Sequence, residues 1–239
     1  MSAQSARAEE LVANLEAVRG RIGAACQGAG RSAEEVTVVA ITKTWPATDV
    51  RILASLGIDH VGENRDQEAR AKAEACADLT LTWHFVGQLQ RNKAGSVAHY
   101  ADVVESVDRE PLVDALERAA GRLGRRVAVC VQVDLDESEP GSQAPRGGVR
   151  PDALLELADR VAGCEHLDLA GVMAIAPLGL DPRAPFERLA ALHERLLLAH
   201  PTATMRSAGM SGDLEAAIAA GATHVRLGSA LLGPRTALK

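Results

Sequence analysis

The 239-residue sequence has few aromatic side chains, no long apolar run and no excess of positive charge. Only 2% of its residues are aromatic, so the 47% that are hydrophobic are mainly Ala, Val and Leu. No apolar run approaches the about 18–20 residues that span a bilayer, and the N-terminus lacks the apolar core of a signal peptide. The net charge of −6 disfavours nucleic acid, whose phosphates require clustered Lys and Arg. We therefore expect a cytoplasmic protein that binds neither membranes nor nucleic acid.

Cysteine is also scarce, and its four positions are scattered. Cys26, Cys76, Cys130 and Cys164 include no CxxC pair and no cluster with histidine at metal-ligand spacing. Such spacing is typical of reduced thiols and not of disulfides or a zinc site. We expect neither a disulfide nor a bound metal.

Short apolar segments alternate with amphipathic segments along most of the chain. Each predicted strand but the last is followed by a predicted helix, which requires parallel strands joined by right-handed crossovers. A further amphipathic helix, over residues 6–26, comes first. The predicted strands are residues 36–41, 58–63, 81–87, 101–107, 126–134, 167–175, 203–206 and 223–229.

Two architectures contain this alternation, a closed barrel and an open doubly wound sheet. The open sheet would have a glycine-rich fingerprint after its first strand, whereas Lys43-Thr44-Trp45-Pro46 contains no glycine. Eight units in about 200 residues fit the small end of the range of (β/α)8 barrels. We therefore predict one α/β domain over 1–239, a (β/α)8 TIM barrel over 36–239 with an additional N-terminal helix within 1–30.

Residues 135–151 interrupt this regular alternation. The segment is rich in Gly, Pro, Ser and charge, and it is longer than an ordinary βα loop. On a barrel it would lie over the C-terminal face, where ligands bind. Its composition fits a lid over a binding site and a disordered surface insertion equally well.

The first predicted strand ends close to a lysine. Residues 36–41 are apolar and mostly β-branched, as in a strand buried on both faces, and Lys43 follows between two threonines. Such a lysine either extends its ammonium group to solvent or works as a neutral amine with a lowered pKa. The neutral amine is the form that reacts with an aldehyde. Position alone favours the solvent-exposed ammonium.

Two turns of small residues near the C-terminus favour a phosphorylated ligand. Residues 207–213 read SAGMSGD before a predicted helix, and residues 226–229 read RLGS at the end of the last strand. Backbone N–H groups in glycine turns bind phosphate, and many (β/α)8 barrels build such a site from the loops after strands seven and eight. Either turn alone is explained as well by a helix cap or an ion-paired arginine.

A Schiff-base lysine opposite a phosphate site indicates pyridoxal 5′-phosphate. Lys43 would hold the aldehyde carbon, and Arg226 would face the pyridine nitrogen. Because arginine is always cationic, it would keep that nitrogen unprotonated and weaken the ring as an electron sink. This favours racemisation or simple binding over transamination.

Other residues at the predicted strand ends allow two interpretations each. His84 is either a proton-transfer group or a strand histidine hydrogen-bonded within the barrel. Asn64 either contacts the ring or the lysine, or caps its own helix. Lys93 either supports an anion at the rim or is an exposed helix lysine. Met173, at the end of the sixth strand, is a further candidate for ligand binding.

Four stretches resemble the pyridoxal phosphate homeostasis protein family, whose barrel is similar to the N-terminal domain of alanine racemase. AITKT resembles the family's cofactor-lysine strand, VGENRDQE its GEN-x-x-QE segment, and WHFVGQLQRNK its WHFIG-x-LQ-x-NK signature. SAGMSGDLEAAIAAGATHVRLGSALLG resembles its glycine-rich C-terminal segment. The departures, at Arg65, Asp134, Ala208 and Leu232, lie outside the lysine–arginine–phosphate set.

The resemblance implies roles for individual residues. It assigns Lys43 to the Schiff base and Arg226 to the pyridine nitrogen. The residues that it places in the phosphate-binding turns are Ser207, Gly209, Met210, Ser211, Gly228 and Ser229.

The resemblance also implies a cofactor-binding protein that buffers pyridoxal phosphate (PLP) and delivers it, with PLP-dependent apoenzymes as recipients. Alanine racemases add a β-rich domain that supplies a catalytic tyrosine across a dimer, and this sequence ends about ten residues after its last predicted strand. We therefore expect a monomer without rapid turnover. The alternatives are a weak amino-acid racemase and a regulatory protein that senses the cofactor.

Overall fold

The structure is a computed structural model that describes residues 3–136 and 147–234. Eight parallel strands follow one another in chain order around a closed barrel, which confirms the predicted α/β (β/α)8 architecture. The barrel closes where the first strand pairs with the last, with Val39 opposite Arg226. The strands are β1 (Thr37–Ile41), β2 (His60–Glu63), β3 (Thr82–Phe85), β4 (Val103–Val107), β5 (Val127–Val133), β6 (Leu167–Ala174), β7 (Met205–Ser207) and β8 (His224–Leu227).

Helices surround the barrel and cover its outer face. A first helix precedes the barrel, as predicted, and packs against the last two helices through Leu11, Leu15 and Val18. The helices are α1 (Ala3–Gly28), α2 (Ala47–Ser55), α3 (Asp66–Ala75), α4 (Ala94–Tyr100), α5 (Glu110–Leu123), α6 (Leu154–Ala162), α7 (Arg183–Ala199), α8 (Leu214–Ala219) and α9 (Ser229–Leu232).

Alternation of side chains along the strands separates two cores. Outward-facing residues such as Val104, Val129 and Val172 pack against the helices in an extensive apolar core. Inside the barrel, Met173 and Met205 belong to a small apolar cluster. The remaining interior contains buried polar side chains, among them His84, Glu105, Ser207 and Arg226.

The structure differs from the sequence prediction at several element ends. Helix α9 is a single turn, too short to show a helical period, and it ends the last strand at Leu227 instead of residue 229. The prediction of a strand over 203–206 is displaced, since β7 is Met205–Ser207. In the segment 135–151, Val149 bridges to Val133. Residues 137–146, to which the predictions of a lid and of a disordered insertion apply, lie outside the described residues. In the described ranges, no helix combines the length and apolar character needed to cross a membrane.

Candidate functional site

The predicted site residues occupy the C-terminal face of the barrel and the interior directly below it. Because all eight strands are parallel, the loops that follow them meet on this one face. The predicted residues in these loops and at the start of α9 are Lys43, Asn64, Gly209, Met210, Ser211, Gly228 and Ser229. Those within strands are His84, Met173, Ser207 and Arg226.

The turn that carries Lys43 has a strained backbone. Thr44, directly after Lys43, has φ of +70°, a conformation that costs a β-branched residue energy and is found mainly at functional sites. Two hydrogen bonds hold the turn: the Trp45 N–H donates to the Thr42 carbonyl at 3.0 Å, and the Thr44 N–H donates to the Glu68 carboxylate at 3.1 Å. These hydrogen bonds hold the strained turn and with it Lys43, which is partly buried at the edge of the barrel mouth.

A buried ion pair lies beneath this turn. The Lys72 ammonium group donates to Glu63 Oε1 and to the Thr42 carbonyl, each at 2.6 Å, and the Thr42 hydroxyl donates to the same carboxylate oxygen. Burial raises the pKa of Glu63, and the hydrogen bond from Lys72 opposes that shift. Glu63 and Glu68 belong to the GENRDQE segment, which thus anchors the turn of Lys43 from β2 and α3.

The two glycine-rich loops at the C-terminal ends of β7 and β8 are joined to each other. The Arg226 N–H donates to the Gly209 carbonyl at 2.9 Å, and the Ala230 N–H donates to the Ser211 hydroxyl at 3.1 Å. Gly209 has φ of +89°, and a Cβ there would lie 2.6 Å from the Ala217 Cβ. Glycine is therefore required for the loop to approach α8 so closely. Glycine-rich turns before helix starts are typical anion sites, and here the Ala230 N–H at the start of α9 is already bonded to Ser211.

Arg226 is buried inside the barrel and held by several partners. Its guanidinium donates to the Ser207 hydroxyl at 2.7 Å and to the Ala174 carbonyl at 2.8 Å. The Glu105 carboxylate lies 3.7 Å away. Burial lowers the pKa of Arg226, and the carboxylate of Glu105 opposes that shift. The Ser207 hydroxyl is thus directed to Arg226 and Glu105 in the barrel interior.

His84 and Met173 lie deeper than the loops. His84 is buried and hydrogen-bonded to the Glu105 carboxylate at 2.7 Å, which favours the interpretation of a histidine fixed within the barrel. Met173 packs against Cys130 and Met205 in the interior cluster. The structure therefore brings both residues under the site and not to its open surface.

Asn64 and Lys93 are at the rim. The Asn64 backbone packs closely against the loop after β3, since a Cβ on Gly87 would lie 2.2 Å from the Asn64 carbonyl oxygen. Lys93 is exposed and lies 3.8 Å from the Asp66 carboxylate, which agrees with the interpretation of a surface lysine.

Two neighbouring cavities open on this face. One of about 390 Å³ is bordered by Gln132, Ile175 and Leu178, and a second of about 660 Å³ is bordered by Asn64 and Lys93. Gln88 borders both cavities. Among the described residues, neither cavity is bordered by Lys43, by Arg226 or by the glycine-rich loops.

Sequence reasoning missed Glu105, His60 and His224, which line the barrel interior. The signal for Glu105 was a carboxylate in the middle of an apolar strand, ADVVESV, where burial without a partner is costly. Its partner Ser207 is 102 residues away along the chain. Only the closed barrel brings the two together.

Comparison with known proteins identifies one matching family model, "Alanine racemase, N-terminal domain", over residues 11–236. Among curated proteins, the pyridoxal phosphate homeostasis protein of Mycobacterium tuberculosis strain H37Rv is 46% identical, with 98% of this chain and 96% of that protein covered. The protein of the same name from Pseudomonas aeruginosa is 40% identical, with 93% and 94% covered.

Two solved structures differ in how closely their sequences match this chain. PipY of Synechococcus elongatus, solved with PLP bound, has a TM-score of 0.80 and 34% identity, with 93% of this chain and 100% of that chain covered. An alanine racemase of Clostridium difficile has a TM-score of 0.74 but 15% identity, and this chain matches 58% of its length. The second similarity concerns the barrel fold alone.

Proposed function

The chain belongs to the pyridoxal phosphate homeostasis proteins, within the alanine racemase N-terminal domain family, and we propose that it binds pyridoxal 5′-phosphate through Lys43 for intracellular homeostasis of that cofactor. The observation that supports this most directly is the pairing of β1 with β8. This pairing sets the turn of Lys43 beside the strand of Arg226 and the glycine-rich loops at the ends of β7 and β8.

The residues present fit this cofactor in three respects. The buried Arg226 offers a permanent positive charge to the ring nitrogen, and the loops at Gly209 and Gly228 offer backbone N–H groups to the phosphate. Lys43 offers an amine at the edge of the mouth. When bound, pyridoxal phosphate supplies an aldehyde with which such an amine bonds reversibly.

In this proposal, different parts of the chain orient Lys43, orient the phosphate and contact the ring nitrogen. The strained turn at Thr44 orients Lys43, with Glu68 holding the turn and the Lys72–Glu63 pair supporting it from below. The loop at Gly209 orients the phosphate end of the ligand. Arg226 keeps the ring nitrogen unprotonated and so restrains carbanion chemistry.

We propose a carrier and not a racemase. Racemisation with two bases requires a second proton-transfer group besides the lysine. Burial and the nearby Asp66 carboxylate raise the pKa of Tyr100, the sole tyrosine, which makes its phenolate, the form that would act as a base, harder to form. Steady turnover of an amino acid would favour the racemase instead.

Titration of the purified protein with pyridoxal phosphate, followed by visible absorption, tests the binding. We expect the wild type to develop the band of a lysine-bound cofactor and Lys43→Arg, which keeps the charge but supplies no neutral amine, to lose it. Lys93→Arg, at an exposed position, serves as the matched control and should behave as the wild type. A wild type that stays colourless, or a Lys43→Arg variant with the full band, would contradict the proposal.

We further propose that the protein acts as a monomer and transfers its cofactor to PLP-dependent apoenzymes. Light scattering should give the mass of one chain with and without cofactor. Mixing the loaded protein with a PLP-dependent apoenzyme should restore that enzyme's activity faster than the spontaneous release of cofactor allows. The mass of a dimer would contradict the monomeric state. Activation no faster than spontaneous release would contradict transfer to the apoenzyme.

A further inference from the structure

A continuous chain of hydrogen bonds runs along the inside of the barrel. His60 and His84 share a hydrogen bond of 2.8 Å, and His84 Nδ1 lies 2.7 Å from Glu105 Oε1. The Ser207 hydroxyl donates to Glu105 Oε2 at 2.6 Å and accepts from the Arg226 guanidinium at 2.7 Å. The five side chains come from β2, β3, β4, β7 and β8, and the chain ends at the residue that faces the proposed cofactor.

Glu105 is the centre of this chain. It is fully buried, and both of its carboxylate oxygens are hydrogen-bonded, one to His84 and the other to Ser207. Burial alone would raise the pKa of Glu105, but the hydrogen bond with His84, the charge of Arg226 and the hydrogen bond from Ser207 hold it at about 2. The carboxylate is therefore ionised and supplies the negative charge that the buried guanidinium requires.

The direction of the hydrogen bonds fixes the position of Arg226. The hydroxyl of Ser207 has one proton, and it donates that proton to Glu105, so its lone pair is directed to the guanidinium. Without the carboxylate, the hydroxyl could rotate, and the guanidinium would lose its Ser207 acceptor and its counter-charge and keep the Ala174 carbonyl. A 3.7 Å separation between Arg226 and Glu105 leaves Ser207 as the bridge between them.

We propose that Glu105 is a positioning residue for the cofactor: through Ser207 it holds the Arg226 guanidinium at the ring-nitrogen position. The proposal rests on the proposed function above. It gives Ser207 a bridging role in the interior and not a direct role in phosphate binding. His84, backed by His60, holds the other oxygen of the carboxylate and so keeps Glu105 from turning away.

A double-mutant cycle in cofactor binding tests this coupling. Glu105→Gln keeps the shape of the side chain and removes its charge, and we expect it to weaken pyridoxal phosphate binding about 10-fold to 100-fold, as for the loss of a hydrogen bond to a charged group. In an Arg226→Gln background, the same substitution should change affinity less than about twofold, since Glu105 then has no guanidinium to position. Equal effects in both backgrounds, or no effect in either, would overturn the proposal.

Two further measurements separate positioning from general destabilisation. The absorption maximum of the bound cofactor should shift in Glu105→Gln and return towards the wild-type value in Glu105→Asp, which restores the charge. Ser106→Ala, on the same strand, removes a buried hydroxyl that has no hydrogen-bond partner among the described residues, and should leave the absorption maximum unchanged. An identical shift in Ser106→Ala and Glu105→Gln would overturn the proposal.

These measurements also distinguish the positioning role of Glu105 from the proposed binding of the cofactor itself. A wild type that develops no band contradicts both. A wild type that binds the cofactor, together with a Glu105→Gln variant of the same affinity and spectrum, contradicts the positioning role alone.

Discussion

Three histidine rings lie close together inside the barrel, two at the starts of β2 and β8 and one within β3. The ring centroids of His60, His84 and His224 are 5.1–6.2 Å apart. Burial, with the neighbouring histidines, lowers the pKa of His224 from its ordinary 6.5 to about 4. The folded protein therefore keeps this ring neutral in a pH range where the unfolded chain binds a proton.

This difference predicts how stability depends on pH. Between pH 6.5 and 4 the unfolded state carries the additional proton, so the free energy of unfolding falls as the pH is lowered, by on the order of 2 kcal/mol from His224. Urea unfolding at a series of pH values should show a shallower slope for His224→Asn than for the wild type. His99→Asn, at an exposed position, should keep the wild-type slope. Equal slopes for His224→Asn and wild type would contradict the assignment.

Some individual residues could be predicted from the sequence, and others could not. The strand-end positions of Lys43 and Arg226 were predictable from the apolar runs before them, whereas the roles proposed for both residues depended on the glycine-rich turns and on the family resemblance. Glu105 was not, because its role depends on Ser207 on another strand, three positions around the barrel. The sequence pattern carries no information on which interior side chains meet across a closed barrel.

At the scale of elements, the ion pair of Lys72 and Glu63 joins α3 to β2 and to the turn after β1. Both side chains are largely buried, and the Lys72 ammonium group also binds the Thr42 carbonyl. Removing one partner leaves a buried charge without compensation, which costs about 3–5 kcal/mol. The turn that carries Lys43 is therefore held in part by α3, through Lys72.

Lys72→Met should lower the free energy of unfolding by about 3 kcal/mol, and addition of Glu63→Gln should recover part of that loss because it removes the unpaired charge. Chemical denaturation of the single and double variants measures both effects. Lys93→Met, which removes an exposed ion pair of 3.8 Å, should change stability by less than about 0.5 kcal/mol. A loss for Lys72→Met no larger than for Lys93→Met would show that the buried pair does not anchor α3.

At the scale of the whole molecule, barrel closure depends on the close approach of β6 and β7. Gly171 has φ of +151°, and a Cβ there would lie 1.9 Å from the Met205 carbonyl oxygen. Next to it, the register between β5 and β6 shifts between Val129 and Cys130. The barrel architecture was predictable from the β–α alternation, whereas this irregularity was not, since it arises from the geometry of closure.

Gly171→Ala should lower the free energy of unfolding by more than about 3 kcal/mol, because the backbone of β7 would have to move and the new side chain would disfavour the positive φ. Gly20→Ala is the matched control: Gly20 lies in α1 with no heavy atom within 4 Å of its added Cβ, so alanine should stabilise the protein by about 0.5–1 kcal/mol. Thermal unfolding of both variants gives the comparison. Equal stability of Gly171→Ala and Gly20→Ala would contradict the claim that barrel closure requires glycine at position 171.

The central claim, that Lys43 carries the cofactor, is tested most directly by borohydride reduction followed by peptide mass mapping. The chain has four lysines, Lys43, Lys72, Lys93 and Lys239, so the modified one can be assigned without ambiguity. Reduction of the protein with bound pyridoxal phosphate should add the mass of the reduced cofactor to one tryptic peptide, residues 32–51, in which cleavage at Lys43 is blocked. Modification of Lys72, Lys93 or Lys239 with an unmodified Lys43 would contradict the claim.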